Sequence, residues 1–191
     1  MLSKYFRTIC ICFCATFATA CASSPADDPA VTKQTFDKGV VAYDAKNYDE
    51  AFKLFSSIDD RDLAAMRNVA LMLRKGEGTE KNPRAAEGMY QRAAEGGLAT
   101  AAADLGEMLL KGEAGPPDPK EALPWLLGAA SAGHPIAALE AGKILEEGTA
   151  VPKDIPMARK LYGVAAKAGL DEGAKRLAAL PPDPNSAKAN P

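Results

Sequence analysis

A period of 36 residues governs this chain. Gly76, Gly112 and Gly148 keep that 36-residue interval, and so do Gly97, Gly133 and Gly169. The alanine pairs Ala93-Ala94, Ala129-Ala130 and Ala165-Ala166 fall in the same register, as do Ala86, Ala122 and Ala158, and Asn82, Asp118 and Asp154. Five rows without a gap describe a unit that stacks on copies of itself, because one short unit cannot bury its own apolar face.

Each row has a local physical reason. Asn82, Asp118 and Asp154 stand where an N-cap accepts from the free amides of a first helical turn. Pro83 and Pro119 follow at the one helical position that tolerates proline. The two glycine rows come after apolar runs, where a left-handed residue ends a helix without a Cβ clash. The spacing predicts helix pairs over 61–75 and 83–96, 98–111 and 119–132, and 135–147 and 155–168. Hydrophobic residues make up 47% of the chain and aromatics only 6%, with alanine, the best helix former, prominent among the apolar residues. No stretch alternates apolar and polar for long, so the chain reads as all-α. The paired alanines, with Ala70, Gly106 and Gly142, are small enough to let helices approach, while Leu73, Leu109 and Leu145 fill the space between.

These residues resemble the Sel1-like repeat, a relative of the tetratricopeptide repeat. The middle copy carries the pattern most completely, with Ala101, Leu105-Gly106, Gly112, Asp118, Glu121-Ala122, Trp125, Ala129-Ala130 and Gly133. It departs where Leu73, Leu109 or Leu145 replaces the usual tyrosine, and at Pro124. A proline inside a regular helix costs about 3 kcal/mol, so a kink or shifted start is expected there. The resemblance implies an α-solenoid of antiparallel helix pairs, a Sel1-like or TPR-like superhelix. Its repeats would occupy 61–97, 98–133 and 134–169. Gly39, Tyr48, Ala51 and Phe55 match tetratricopeptide spacing, giving a degenerate N-terminal cap over 34–60 with helices at 34–45 and 48–57. A solitary helix over 170–180 would close the other end, and 181–191 reads as a disordered tail.

The chain begins with a different kind of segment. Lys4 and Arg7 precede an apolar run from Thr8 to Phe17 and the small residues Ala18-Thr19-Ala20, the pattern of a signal peptide over 1–20. Its apolar run is about half the ~20 residues that a membrane-spanning helix needs. Three of the four cysteines, Cys10, Cys12 and Cys14, lie inside it. The fourth, Cys21, follows Ala20, and Ala18-Thr19-Ala20-Cys21 resembles a bacterial lipobox with Ala18 where leucine is usual. That resemblance implies lipidation at Cys21 and membrane attachment through it. With Ala22 next, it implies an outer-membrane lipoprotein facing the periplasm. An ordinary secretory signal is the alternative. Residues 21–33, poor in apolar bulk, read as a flexible tether.

Little here points to chemistry. His134 is the one histidine, in an Ala-Gly-His-Pro turn where it reads as solvated. One histidine and one exported cysteine assemble neither a zinc site nor a catalytic triad, so no catalytic, metal or cofactor residue is expected. Gly76-Glu77-Gly78 lacks the strand and lysine of a phosphate loop. A formal charge of -2, or -4 without Lys4 and Arg7, offers no patch for nucleic acid.

The expectation is a non-enzymatic scaffold or adaptor for protein partners, tethered in the cell envelope. A secreted or surface-exposed factor acting on a host or neighbouring cell, and a peptidoglycan-associated enzyme or regulator, are the alternatives. In the tetratricopeptide architecture the first helix of each pair lines the concave face. The resemblance thereby places Phe36, Tyr43, Arg67, Leu71, Arg74, Glu107, Leu110 and Lys143 on a candidate partner face, with Phe36, Tyr43, Leu71 and Leu110 either forming one apolar stripe or in part completing the inter-helix core.

Overall fold

The computed structural model describes residues 28–182. The expected signal segment, Cys21 and the tail beyond 182 lie outside the described residues. Nine α-helices and no strand occur among the described residues: α1 (Pro29–Asp44), α2 (Tyr48–Ser56), α3 (Leu63–Lys75), α4 (Pro83–Glu95), α5 (Ala99–Lys111), α6 (Pro119–Ser131), α7 (Pro135–Glu147), α8 (Ile155–Lys167) and α9 (Asp171–Ala179). Successive helices pack on one another as an all-α solenoid of helix pairs.

The rows of the sequence become identical corners. Asn82, Asp118 and Asp154 each accept from the amide three residues on, at 3.1, 2.9 and 2.9 Å. Their own amides donate back to Leu73, Leu109 and Leu145, at 2.8, 3.0 and 2.9 Å, so each loop closes on the helix it leaves. Gly76, Gly112 and Gly148 end the first helices at φ +79, +65 and +68°. Between pairs, the amides of Leu98, His134 and Leu170 each reach 3.0 Å to Ala93, Ala129 and Ala165, a Schellman-type closure around a left-handed glycine. The α1–α2 corner uses this same tight turn, with Lys46 in the left-handed position and Asn47 N–H donating to Ala42 at 2.9 Å. That shorter corner distinguishes the first pair from the three full repeats.

Two sequence expectations need correction. Helix α1 starts at Pro29, inside the stretch read as tether. Asp28 accepts from Ala30 N–H at 2.8 Å and Pro29 occupies the first turn, so an Asp-Pro start signal outweighs the scarcity of apolar residues. Pro124 does not shift the start of α6, which begins at Pro119 in register with α4. The proline stands on an exposed face, where the carbonyl it leaves unbonded can be hydrated.

The core is a chain of small and large residues. Tyr90, Tyr162, Phe55, Met72, Met108 and Leu126 are its largest fully buried side chains. One apolar cluster spans the three repeats, and a second joins α1 and α2 to α3, with Leu73 and Met89 packed against both. The glycines of the first helices make room for side chains more than for backbone. A Cβ on Gly106 would sit 2.5 Å from Leu126, one on Gly142 2.6 Å from the Tyr162 ring, and one on Gly39 2.6 Å from Phe55. Gly173 lets α9 lie on Ala165 in the same way, and the buried Leu180 ties down its end.

Candidate protein-binding face

The first helices of the copies share one face, and what crosses each seam between them differs. Between α1, α2 and α3 lies a hollow of about 200 Å3 lined by Val40, Tyr43, Phe55, Asn68 and Leu71. Phe36 packs on Phe55 at 5.5 Å between ring centroids, and Tyr43 meets Tyr48 edge-on at 5.2 Å. The Tyr43 hydroxyl donates to Glu77 at 2.6 Å and accepts from Lys75 at 3.1 Å. Burial first, and then the bond to Glu77, hold that phenol above its ordinary value.

The α3–α5 seam is closed by charge. Arg67 Nε donates to Asp104 at 2.6 Å. Arg74 grips Glu113 with two nitrogens, at 2.6 and 2.5 Å, and touches Glu107 at 3.4 Å. The Arg74 side chain is only 12% exposed. A bidentate pair this sheltered is stronger than an ordinary surface ion pair. It holds the Glu113 carboxyl below its ordinary range and raises the guanidinium. Beneath it, burial pushes the Tyr90 phenol up. Its hydroxyl lies beside Arg67, Arg74 and Asp104 without a well-formed hydrogen bond.

The α5–α7 seam is open. No ion pair crosses it among the described residues. In its place is a cleft of about 360 Å3, with Ala103, Leu110 and Leu126 on its floor and Ile136, 55% exposed, at its edge. Glu140 borders this cleft and an adjoining hollow of about 230 Å3 that Leu110, Lys143 and Glu147 also line. It pairs at 2.8 Å with Lys143 of its own helix, while Lys111 bonds Glu107. Beyond α7 the polar net resumes: Tyr162 and Arg176 donate to Glu146 at 2.6 and 2.9 Å. The Tyr162 bond, before that of Arg176, lowers the Glu146 carboxyl.

The expected face residues divide accordingly. Phe36, Tyr43 and Leu71 come together at the first three helices. Arg67, Arg74 and Glu107 are bound to one another's copies across the α3–α5 seam. Leu110 belongs to the next seam and Lys143 to its far wall. The single apolar stripe is therefore interrupted by the arginine ladder. His134 is also not a merely solvated turn residue: half-buried, its Nδ1 accepts from Ala137 N–H at 3.3 Å and caps α7. Asp104, Glu113, Ile136 and Glu140 join the face without having been expected there. A row-by-row comparison does show that Arg67 and Arg74 give way to Ala103 and Leu110 one period on, though not which acids they meet.

Comparison with known proteins follows the same geometry. The Sel1 repeat model matches residues 39–57, 63–98, 99–134 and 135–170. Among solved structures, a Sel1 repeat protein from Oxalobacter formigenes is 28% identical with a TM-score of 0.67, covering 75% of this chain and 59% of its own. A protective antigen present in uropathogenic Escherichia coli strains, displaying an SLR fold, is 19% identical with a TM-score of 0.75, covering 83% and 34%. An immunity protein from Pseudomonas aeruginosa is 23% identical with a TM-score of 0.52, covering 80% and 58%. The latter two are alike in fold alone. This chain thus spans less than two thirds of the length of each. No curated protein matches it.

Proposed function

We propose, for a chain that belongs to the Sel1 repeat family, that it is a non-enzymatic scaffold holding a partner protein on the face of its first helices. Proteins of this family generally mediate protein–protein interaction, and the fold is typically a non-catalytic scaffold. The observation that carries the reading here is that this face is preformed and incompletely covered. Capped helices and cross-seam ion pairs fix the side chains, while two clefts with apolar linings stay open to solvent. Preformed, mostly apolar concavities with a few placed polar groups are what binding faces offer.

The proposal extends to location. Ala18-Thr19-Ala20-Cys21 supports lipidation of Cys21, and the segment before it supports export, so the scaffold would hang from the outer membrane into the periplasm. Palmitate incorporation lost in Cys21→Ser tests the anchor, and retention of label sinks it. For the face, a photocrosslinking amino acid at Lys111 is compared with one at Lys160 of α8, both exposed. Adducts with one envelope protein at Lys111 and none at Lys160 are expected. Equal adducts at both, or none at either, overturn the reading.

A further inference from the structure

The repeat supplies its own reference for what the α5–α7 seam lacks. Three side chains fill or cross the α3–α5 seam: Arg67, Arg74 and Tyr90. One period on stand Ala103, Leu110 and Leu126, and all three line the cleft. The acid opposite has not changed in kind. Asp104, which accepts from Arg67, is matched one period on by Glu140. Glu107 and Glu113 become Lys143 and Thr149, so the seam keeps one carboxylate of three and has lost both arginines.

Among the described residues nothing replaces them well. Glu140 has only Lys143 of its own helix, and the two side chains are 29% and 26% exposed. A pair three residues apart on one helix is among the weaker ion pairs, so it yields readily to a better partner. Asp104 and Glu107 are already engaged by Arg67, Arg74 and Lys111. Glu140, at the junction of two hollows, is the acid still free to exchange. The apolar floor beneath it and the exposed Ile136 beside it match the stem of an arginine and an apolar neighbour.

We propose that the α5–α7 cleft takes an arginine from a partner protein, its guanidinium pairing with Glu140 as Arg67 pairs with Asp104. An apolar side chain of the same partner segment lies on Leu110 and Ile136. The inference rests on the protein-binding reading above and names the partner's chemistry: a cationic, apolar segment.

The test begins with selection of displayed random dodecapeptides on the purified full chain, and titration of the enriched peptides by fluorescence anisotropy. The expected peptides carry an arginine close to an apolar residue. Replacing that arginine with uncharged citrulline should weaken binding about tenfold or more. Ala103→Arg restores the missing internal donor opposite Glu140 and should weaken binding by a similar factor while circular dichroism stays unchanged, since Arg67 is housed at the equivalent place. Glu140→Gln and Ile136→Glu, both at the solvent edge, carry the test should Ala103→Arg not fold.

Enriched peptides without a cation, or variants that bind within twofold of the parent, overturn the cleft assignment. In that outcome the adduct at Lys111 still decides the scaffold reading separately. A chain that enriches no peptide and gives no adduct refutes both.

Discussion

The α3–α5 and α5–α7 seams are one period apart on the same face and are built on the same backbone plan. In the first, Arg67, Arg74 and Tyr90 meet Asp104, Glu107 and Glu113. In the second, Ala103, Leu110 and Leu126 leave a cleft beside Glu140. Both seams share their caps, left-handed glycines and small core residues. The difference teaches that stacking and surface are specified by separate positions. Rows that make corners and the small residues of the core hold from copy to copy, while rows that face the seams are free to become ladder or cleft.

The largest expected effect probes what the seams share. Tyr90 and Leu126 occupy equivalent, fully buried positions. Tyr90→Ala should cost about 4 kcal/mol and Leu126→Ala about 3 kcal/mol in urea unfolding. A costless Leu126→Ala would mean that the cleft floor is not part of the core, and the comparison would fail.

Next comes the charge that separates them. Arg74→Leu leaves half-buried Glu113 without its bidentate partner and should cost about 2 kcal/mol. Lys143→Leu, in the open seam, should change stability by no more than about 0.5 kcal/mol. Equal losses would erase the distinction between closed and open seams.

A smaller contrast lies in the tyrosines. Tyr162→Phe removes the donor to Glu146 and should cost about 1 kcal/mol. Tyr90→Phe removes a buried hydroxyl that makes no well-formed hydrogen bond and should be neutral or slightly stabilising. A comparable loss in both would show that the Tyr90 hydroxyl is bonded within the ladder.

The finest discrimination is by pH. Arg74 holds the Glu113 carboxyl below its ordinary 4.5 in the folded chain. The pair therefore stabilises fully above that value, and its contribution is lost as pH falls through the lower folded value. The stability gap between the parent and Arg74→Leu should be constant near neutrality and shrink below about pH 4.5. A gap that persists in acid would assign Arg74's role to packing of its stem.

Much of this was legible in advance. The helix corners lay within one or two residues of where Asn82, Gly97 and Gly112 put them, because caps and left-handed turns are decided by bonds spanning a few residues. The start of α1 is equally local, set by Asp28 and Pro29 against the polar composition around them. The face was harder to read. Arg67 and Asp104 lie 37 positions apart and Arg74 and Glu113 lie 39, so neither pair falls on the 36-residue row. Those offsets come from how far one helix pair rotates and slides on the next.

The sequence alone determined the unit, its period, its corners and the small residues of its core, since each depends on neighbours along the chain or on identical copies beside it. Only the tertiary structure decided which outward residues meet. Whether an arginine closes a seam or its absence leaves a cleft depends on side chains from different repeats reaching the same few ångströms, and that distance is set by the stacking as a whole.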